Sequence, residues 1–208
     1  MNTQYAIVQN LLEIGAVKLS PEKPFRWASG ILSPIYCDNR KTLSFPEVRN
    51  MIKEELAILA KTFEKFDFIA GVATAGIPYG MLVADALDKP FIYVRQKPKE
   101  HGMKNRVEGA MSPNAKVLVV EDLISTGMSS LDAVEALRSE GAEVVGVISV
   151  FSYGLPEAEN AFDAANCDYQ SLSNYETLLE YALSEKMIDS ETLKVLQTWR
   201  ENPKAWGV

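Results

Sequence analysis

The 208-residue chain predicts an α/β fold: a mainly parallel twisted sheet flanked by helices. Three observations predict it. Val- and Ile-rich runs of strand length alternate with helix-period stretches across short turns, as βαβ units require. The strands read as unbroken apolar runs rather than alternating ones, so both faces of the sheet should be covered. The length suits one domain with a sizeable core, and no repeat, low-complexity tract or interdomain linker interrupts it.

The elements follow in order. "MNTQYAIVQNLLEIG" predicts an amphipathic helix with Val8, Leu11 and Leu12 on one face, stopping at Gly15, a residue free to turn left-handed. Residues 18–41, "KLSPEKPFRWASGILSPIYCDNRK", carry prolines and a glycine that no long helix tolerates, so a less regular segment is expected. Ser44 with Glu47 has the spacing of a capping box for a second helix, "FPEVRNMIKEELAILAKTF". "FDFIAGV" predicts a strand, "ATAGIPYGMLVADAL" a loop leading into a helix, and "PFIYV" another strand. "RQKPKEHGMKNRVEGAMSPNA" has no hydrophobic period and predicts a long loop. "KVLVVED" returns to strand. "SSLDAVEALRSEG" predicts a helix with Leu131, Val134 and Leu137 inward and Gly141 at its stop; "AEVVGVISVF" is the next strand. The tail from Ser171, "SLSNYETLLEYALSEKMIDSETLKVLQTWRENP", predicts two further helices.

Bulk chemistry narrows the function. A net charge of −7 argues against a general nucleic-acid binder, whose affinity comes from Lys and Arg neutralising phosphates. No apolar run is long enough to cross a bilayer, and the N-terminus lacks the basic flank of a signal peptide, so a cytoplasmic protein is expected. Cys37 and Cys167 lie far apart without ligand spacing, which predicts two reduced, packed thiols and no structural zinc.

The chemistry concentrates in "KVLVVEDLISTGMSS". With Val117 to Val120 as the buried strand, Glu121 and Asp122 emerge at its carboxyl end, where parallel sheets bind ligands. Two adjacent carboxylates are costly to desolvate unless donors meet them, and ribose hydroxyls are such donors. Ser125, Thr126 and Gly127 then turn into a helix whose N-terminal N–H groups suit a phosphate. The plain alternative is a strand-turn-helix in which Asp122 caps the helix and Glu121 is solvated. The full order of strand, two acids, two aliphatics, Ser-Thr-Gly and helix favours a ribose 5-phosphate cradle instead. No Walker A run is present. The loop "VRQKPKEHGMKNR" gathers Arg95, Lys97, Lys99, His101, Lys104 and Arg106 in an acidic chain, starts at a strand's carboxyl end and exceeds the usual connection length, as a lid meeting pyrophosphate would. His101, the chain's single histidine, is flanked by Glu100 and Gly102 and suits proton sharing or phosphate contact.

"VVEDLISTGMSS" resembles the phosphoribosyl pyrophosphate (PRPP) signature of the type I phosphoribosyltransferases. Arg95, Lys99 and His101 match in order and spacing the lid residues of the orotate phosphoribosyltransferases, where the lid closes over the neighbouring subunit's site. "ASGILSPIYCDNRK" resembles that family's base-side region, "GVATAGIPYG" its pyrophosphate-side turn and "SLSNYETLLEYA" its C-terminal pattern. The resemblance spans nearly the whole chain and fits the family's bacterial short form.

It implies a type I phosphoribosyltransferase fold over residues 1–208, with a small N-terminal hood at about residues 1–45, a core at about 46–208 and a long mobile loop. It further implies transfer of the 5-phosphoribosyl group from PRPP to orotate, giving orotidine 5'-monophosphate and pyrophosphate, a step of pyrimidine biosynthesis. Arg95, Lys99, His101 and the run Glu121, Asp122, Leu123, Ile124, Ser125, Thr126, Gly127, Met128 and Ser129 would hold PRPP, with Arg95, Lys99, His101 and Asp122 catalytic. Mg²⁺ would come with PRPP rather than from protein ligands, and a homodimer with shared active sites would do the work, with neither nucleic acid nor membrane as partner. Ser125 is the orotate contact by resemblance; Arg40 is a candidate cation for the orotate carboxylate, and Tyr36 is a further candidate contact, the plain alternative being that Tyr36 and Asp38 simply alternate with core residues on a strand. Ala28, Ala75 and Gln96 stand where some members carry lysines, and Met128 where a small residue is frequent. The alternatives are a purine phosphoribosyltransferase, differing around Ala28 to Arg40, and a PRPP-sensing regulator of nucleic acid.

Overall fold

A computed structural model describes residues 3–27, 30–97 and 105–206; Lys99, His101, Lys104 and Ala28 lie outside the described residues. Helix α1 (Thr3–Glu13) buries Ile7, Val8 and Leu11, and the chain turns at Gly15, φ +66°. Residues 17–37 then form two short antiparallel ladders. Strand β1 (Val17–Leu19) pairs with β4 (Ile35–Cys37), and the hairpin strands β2 (Phe25–Arg26) and β3 (Leu32–Ser33) pair with each other between them. A 3₁₀ turn at Asn39–Ser44 leads into α2 (Pro46–Ala60). The Ser44–Glu47 capping box does not form: the 3₁₀ turn takes Ser44, Phe45 becomes the N-cap without a side-chain bond, and Pro46 fills the first helical position, where a missing N–H costs nothing.

Next come β5 (Phe68–Val72), α3 (Gly76–Leu87), β6 (Phe91–Val94), β7 (Val107–Glu108), β8 (Lys116–Ile124), α4 (Met128–Ser139), β9 (Glu143–Ser152), α5 (Pro156–Ala164), β10 (Tyr169–Asn174), α6 (Tyr175–Ser184) and α7 (Ser190–Glu201). The central sheet has the order β10-β9-β8-β5-β6-β7, and every pairing is parallel except the antiparallel β6·β7 edge.

The long loop therefore contains a strand that periodicity misses. Val107 and Glu108 pair with Val94 and Tyr93, and two residues are too few to show a pattern. Similarly, Ser171–Asn174 does not begin a helix. It belongs to β10, whose serine-rich face is explained by a side-chain bond between Ser171 and Ser149 of β9 at 2.6 Å. Strand β8 also runs further than the apolar run suggests. Strand β5 stops pairing with it at Gly71 against Val120, but β9 continues alongside to Ile124 against Ser152, so Glu121 and Asp122 lie in a strand covered on one edge only.

Both faces of the sheet are buried, and β8 shows why. Leu118 and Val120 face α2, α3 and α6, while Val117 and Val119 face α4 and α5, so alternation of apolar with apolar replaces apolar with polar. Each such side chain contributes on the order of 1.5–3 kcal/mol when fully buried. The two cysteines are free thiols, and among the described residues no helix is long and apolar enough to cross a membrane.

Candidate active site

The carboxyl end of β8 carries the two acids. Glu121 is only 5% exposed; its Oε1 accepts the Asp122 main-chain N–H at 3.0 Å and its Oε2 accepts the Ser130 hydroxyl at 3.4 Å. Burial, followed by the Asp122 charge, pushes the Glu121 carboxyl well above the usual carboxylate range. Burial also raises Asp122, against the opposing pull of hydrogen bonds and the Arg40 charge. Neighbouring acids in such a place resist ionising together and titrate as a pair.

The pair looks into a cleft of about 380 Å³. Glu121, Asp122, Leu123 and Ser129 form one wall, the turn Ala73–Ala75 after β5 another, and Cys37, Asp38 and Arg40 of the hood a third, with Gln96 at the rim. Two glycines make the walls meet. A Cβ on Gly76, the first residue of α3, would stand 2.5 Å from the Val120 carbonyl and 3.3 Å from Glu121 Oε1, so only glycine lets the helix sit against the acid pair. Gly127, at φ +79°, opens α4 where a Cβ would stand 2.7 Å from the Phe162 ring. No side chain caps α4, which leaves its first N–H groups to a ligand. The Ala73–Thr74 peptide is cis.

The sequence-predicted residues divide by position. Glu121, Asp122, Leu123, Ser129 and Arg40 line the cleft. Arg95 and Met128 line an adjoining recess of about 320 Å³ that shares Gln96 and Ser129 with it. Arg95 reaches Glu108 at 3.3 Å, and Arg106 forms a two-pronged pair with Asp132 on α4. Thr126 faces a separate recess of about 240 Å³ beneath Trp27 and Ile31. Ser125 is half-buried beside it, and the Ile124 side chain points into the core, leaving only its main chain to a ligand. Arg40 is held by Asp38 at 2.6 Å. Tyr36 is not among the residues lining the cleft; it packs on Phe25, with ring centroids 5.5 Å apart. Of the absent lysines, Ala75 and Gln96 are at the cleft. Asp38, which the sequence offered only, with Tyr36, as a residue alternating with the core, lines the cleft. Sequence reasoning missed Ser130 and Asn39. Ser130 closes the motif but sits one residue past the run assigned to PRPP, whereas Asn39, in an irregular stretch, left no periodic signal.

Phosphoribosyl transferase domain is the family description that matches residues 44–186. An orotate phosphoribosyltransferase of Bacillus subtilis is 56% identical over 200 residues, covering 96% of this chain and 93% of that protein. Another from Listeria monocytogenes is 50% identical over 208 residues, covering 100% of both. The chain belongs to the orotate phosphoribosyltransferase family. An orotate phosphoribosyltransferase structure from Aeropyrum pernix has a TM-score of 0.75 at 29% identity, over 84% of this chain and 96% of that one. The fold is thus that of the type I phosphoribosyltransferases. The general domain, starting at residue 44, contains the acid pair and the phosphate turn, while Tyr36 and Arg40 precede it. Identity with the orotate phosphoribosyltransferases runs through both parts, which distinguishes this chain from a purine enzyme or a regulator sharing the PRPP cradle alone.

Proposed function

We propose that the cleft binds PRPP through Glu121, Asp122 and the turn from Ser125 to Ser129, and passes its phosphoribosyl group to orotate. The observation supporting this most directly is the convergence of acid pair, uncapped α4 terminus and 73–75 turn on one cleft. Ribose hydroxyls donate to the remaining lone pairs of the two acids and offset the cost of their burial. The 5-phosphate lies on the first N–H groups of α4 and the hydroxyls of Ser125, Thr126 and Ser129. Diphosphate extends toward the 73–75 turn and Arg95, and Lys99 and His101 assist its departure.

As the C1–O bond to pyrophosphate breaks, orotate N1 forms the new bond to C1 and its proton passes to an oxygen of the departing pyrophosphate. Positioning and electrostatics supply the rate, without a covalent enzyme intermediate. Apart from the Cys37 thiol, whose loss of a proton burial and the nearby acids oppose, the donors around the cleft are carboxylate, hydroxyl and main-chain oxygens suited to a hard cation. Mg²⁺ would come with PRPP and, when bound, would supply charge neutralisation at the leaving diphosphate. Ser125 and Arg40 recognise orotate, with Tyr36 behind them on the hood.

The enzyme acts as a cytoplasmic homodimer in which each lid serves the partner's cleft. Purified protein with Mg²⁺, PRPP and a panel of bases should consume orotate and release pyrophosphate while leaving adenine, guanine and hypoxanthine untouched; orotate surviving the assay would refute the assignment. Mixing Lys99→Ala with Asp122→Asn chains should restore activity that neither has alone, through dimers with one intact site. No recovery would mean that each lid serves its own chain.

A further inference from the structure

We infer that Asn39 is a positioning residue for the acid pair, acting through the main chain of Asp122 from beneath the cleft; this rests on the ribose role proposed for that pair. The need for it lies in the sheet. Pairing of β5 with β8 ends at Gly71 against Val120, so beyond that point one edge of β8 has no strand beside it. Asp122 lies on this half-covered stretch, and both of its main-chain groups are met by side chains. Its N–H donates to Glu121 Oε1 at 3.0 Å, and its carbonyl accepts Asn39 Nδ2 at 2.6 Å. A buried carbonyl without such a donor would be free to rotate toward another, taking the carboxylate with it.

Asn39 is itself fixed by two hydrogen bonds. The side chain is fully buried, and its Oδ1 accepts the Cys37 thiol at 3.3 Å. Its carbonyl accepts the Tyr79 hydroxyl at 2.6 Å. Tyr79 has given its only proton there, so in the 2.6 Å contact with Thr42 it must accept from the Thr42 hydroxyl. The chain of donors thus runs from Thr42 through Tyr79 to Asn39 and on to Asp122. Tyr79 belongs to α3, whose first residue, Gly76, packs on Glu121. Asn39 is therefore where the hood, α3 and β8 are joined, and it sets the plane of one acid while Gly76 confines the other. Only an amide of this length both donates to the carbonyl and accepts from the thiol. Aspartate would offer a carboxylate to a carbonyl.

The test separates positioning from general stability by comparing two buried sites in one network. Asn39→Ala removes the bonds to the Asp122 carbonyl and the Cys37 thiol, and Thr42→Val removes the bond to Tyr79, but only the first touches Asp122. For Asn39→Ala, calorimetric titration with Mg²⁺-PRPP should show Kd raised roughly tenfold or more, with the KM for orotate held within about twofold. Thr42→Val should lower Tm comparably while Kd for Mg²⁺-PRPP stays within about twofold of wild type. Tyr79→Phe, which keeps the Asn39 amide and removes one of its anchors, should lie between them and serves if Asn39→Ala does not fold. Equal PRPP affinity in Asn39→Ala and wild type, or equal weakening by Thr42→Val, would overturn the role of Asn39. If Asn39→Ala does not fold, wild-type affinity in Tyr79→Phe overturns it equally. Failure of wild type to bind PRPP would instead overturn the ribose assignment, so the two failures are distinguishable.

Discussion

The carboxyl edge of β8 and the N-terminal hood line the same cleft but are held by different forces. The edge is anchored by a nine-residue strand whose apolar side chains are buried on both faces, so its acids extend from the packed core. The hood rests on ladders of two or three residues and on side-chain bonds to carbonyls, such as Trp199 Nε1 to Leu32 at 3.1 Å and Lys41 Nζ to Gly15 at 3.0 Å. The difference teaches a division of labour. The part proposed to grip the phosphorylated sugar is a strand inside the main sheet, whereas the proposed base-side part joins the same core through Val17 and Ile35 and is otherwise fastened by short ladders and single side-chain bonds.

Removing the main fastener should separate the two regions most visibly. Trp199 is fully buried, holds the β3 carbonyl and meets the Trp27 ring edge-on at 5.7 Å. Trp199→Ala should cost roughly 3–5 kcal/mol by urea denaturation and raise the KM for orotate. The Kd for Mg²⁺-PRPP should stay within about threefold, since the hydrogen bond lost is made to β3 rather than to the acid pair. Equal loss of PRPP affinity would mean that the regions act as one.

At the edge itself, Asp122→Asn should lower kcat/KM by about a hundredfold, or roughly 2.7 kcal/mol. Tm should hold or rise, because the change removes a charge that burial disfavours. Near-normal turnover would end the assigned role.

The smallest effect is in pH. Glu121 has a carboxyl raised in the folded state, so the fold binds its proton more tightly than the unfolded chain does. The Glu121 contribution should therefore be fully present at or below the ordinary carboxylate range and be lost as pH climbs through the raised value, by at most about 1.4 kcal/mol per pH unit. Urea midpoints of wild type minus those of Glu121→Gln, measured across that window, should show the decline. A difference that grows with pH would contradict the burial of Glu121.

Much of the edge was legible in the sequence because it is local. Glu121, Asp122, Ser125, Thr126 and Gly127 follow an apolar run without a gap, so strand, acids, turn and helix are read from one contiguous segment. The hood was legible only as irregular. Its strands are too short to have a period, and the polar serines of β10 suggested the start of a helix until β9 supplied them with partners. The hidden extension of β8 to Ile124 has the same origin, since it depends on how far β9 continues beside it.

Contiguous chemistry, then, was determined by the sequence alone: the α/β alternation, the acids at a strand end and the glycine that turns the chain into α4. Only the tertiary structure decided what those acids lean on. Asn39 lies 83 positions from Asp122 along the chain, and the bond joining them arises because one strand ends two residues before its neighbour's acid. Hydrophobic period records which face is buried, but it carries no trace of a single polar contact between distant, irregular segments.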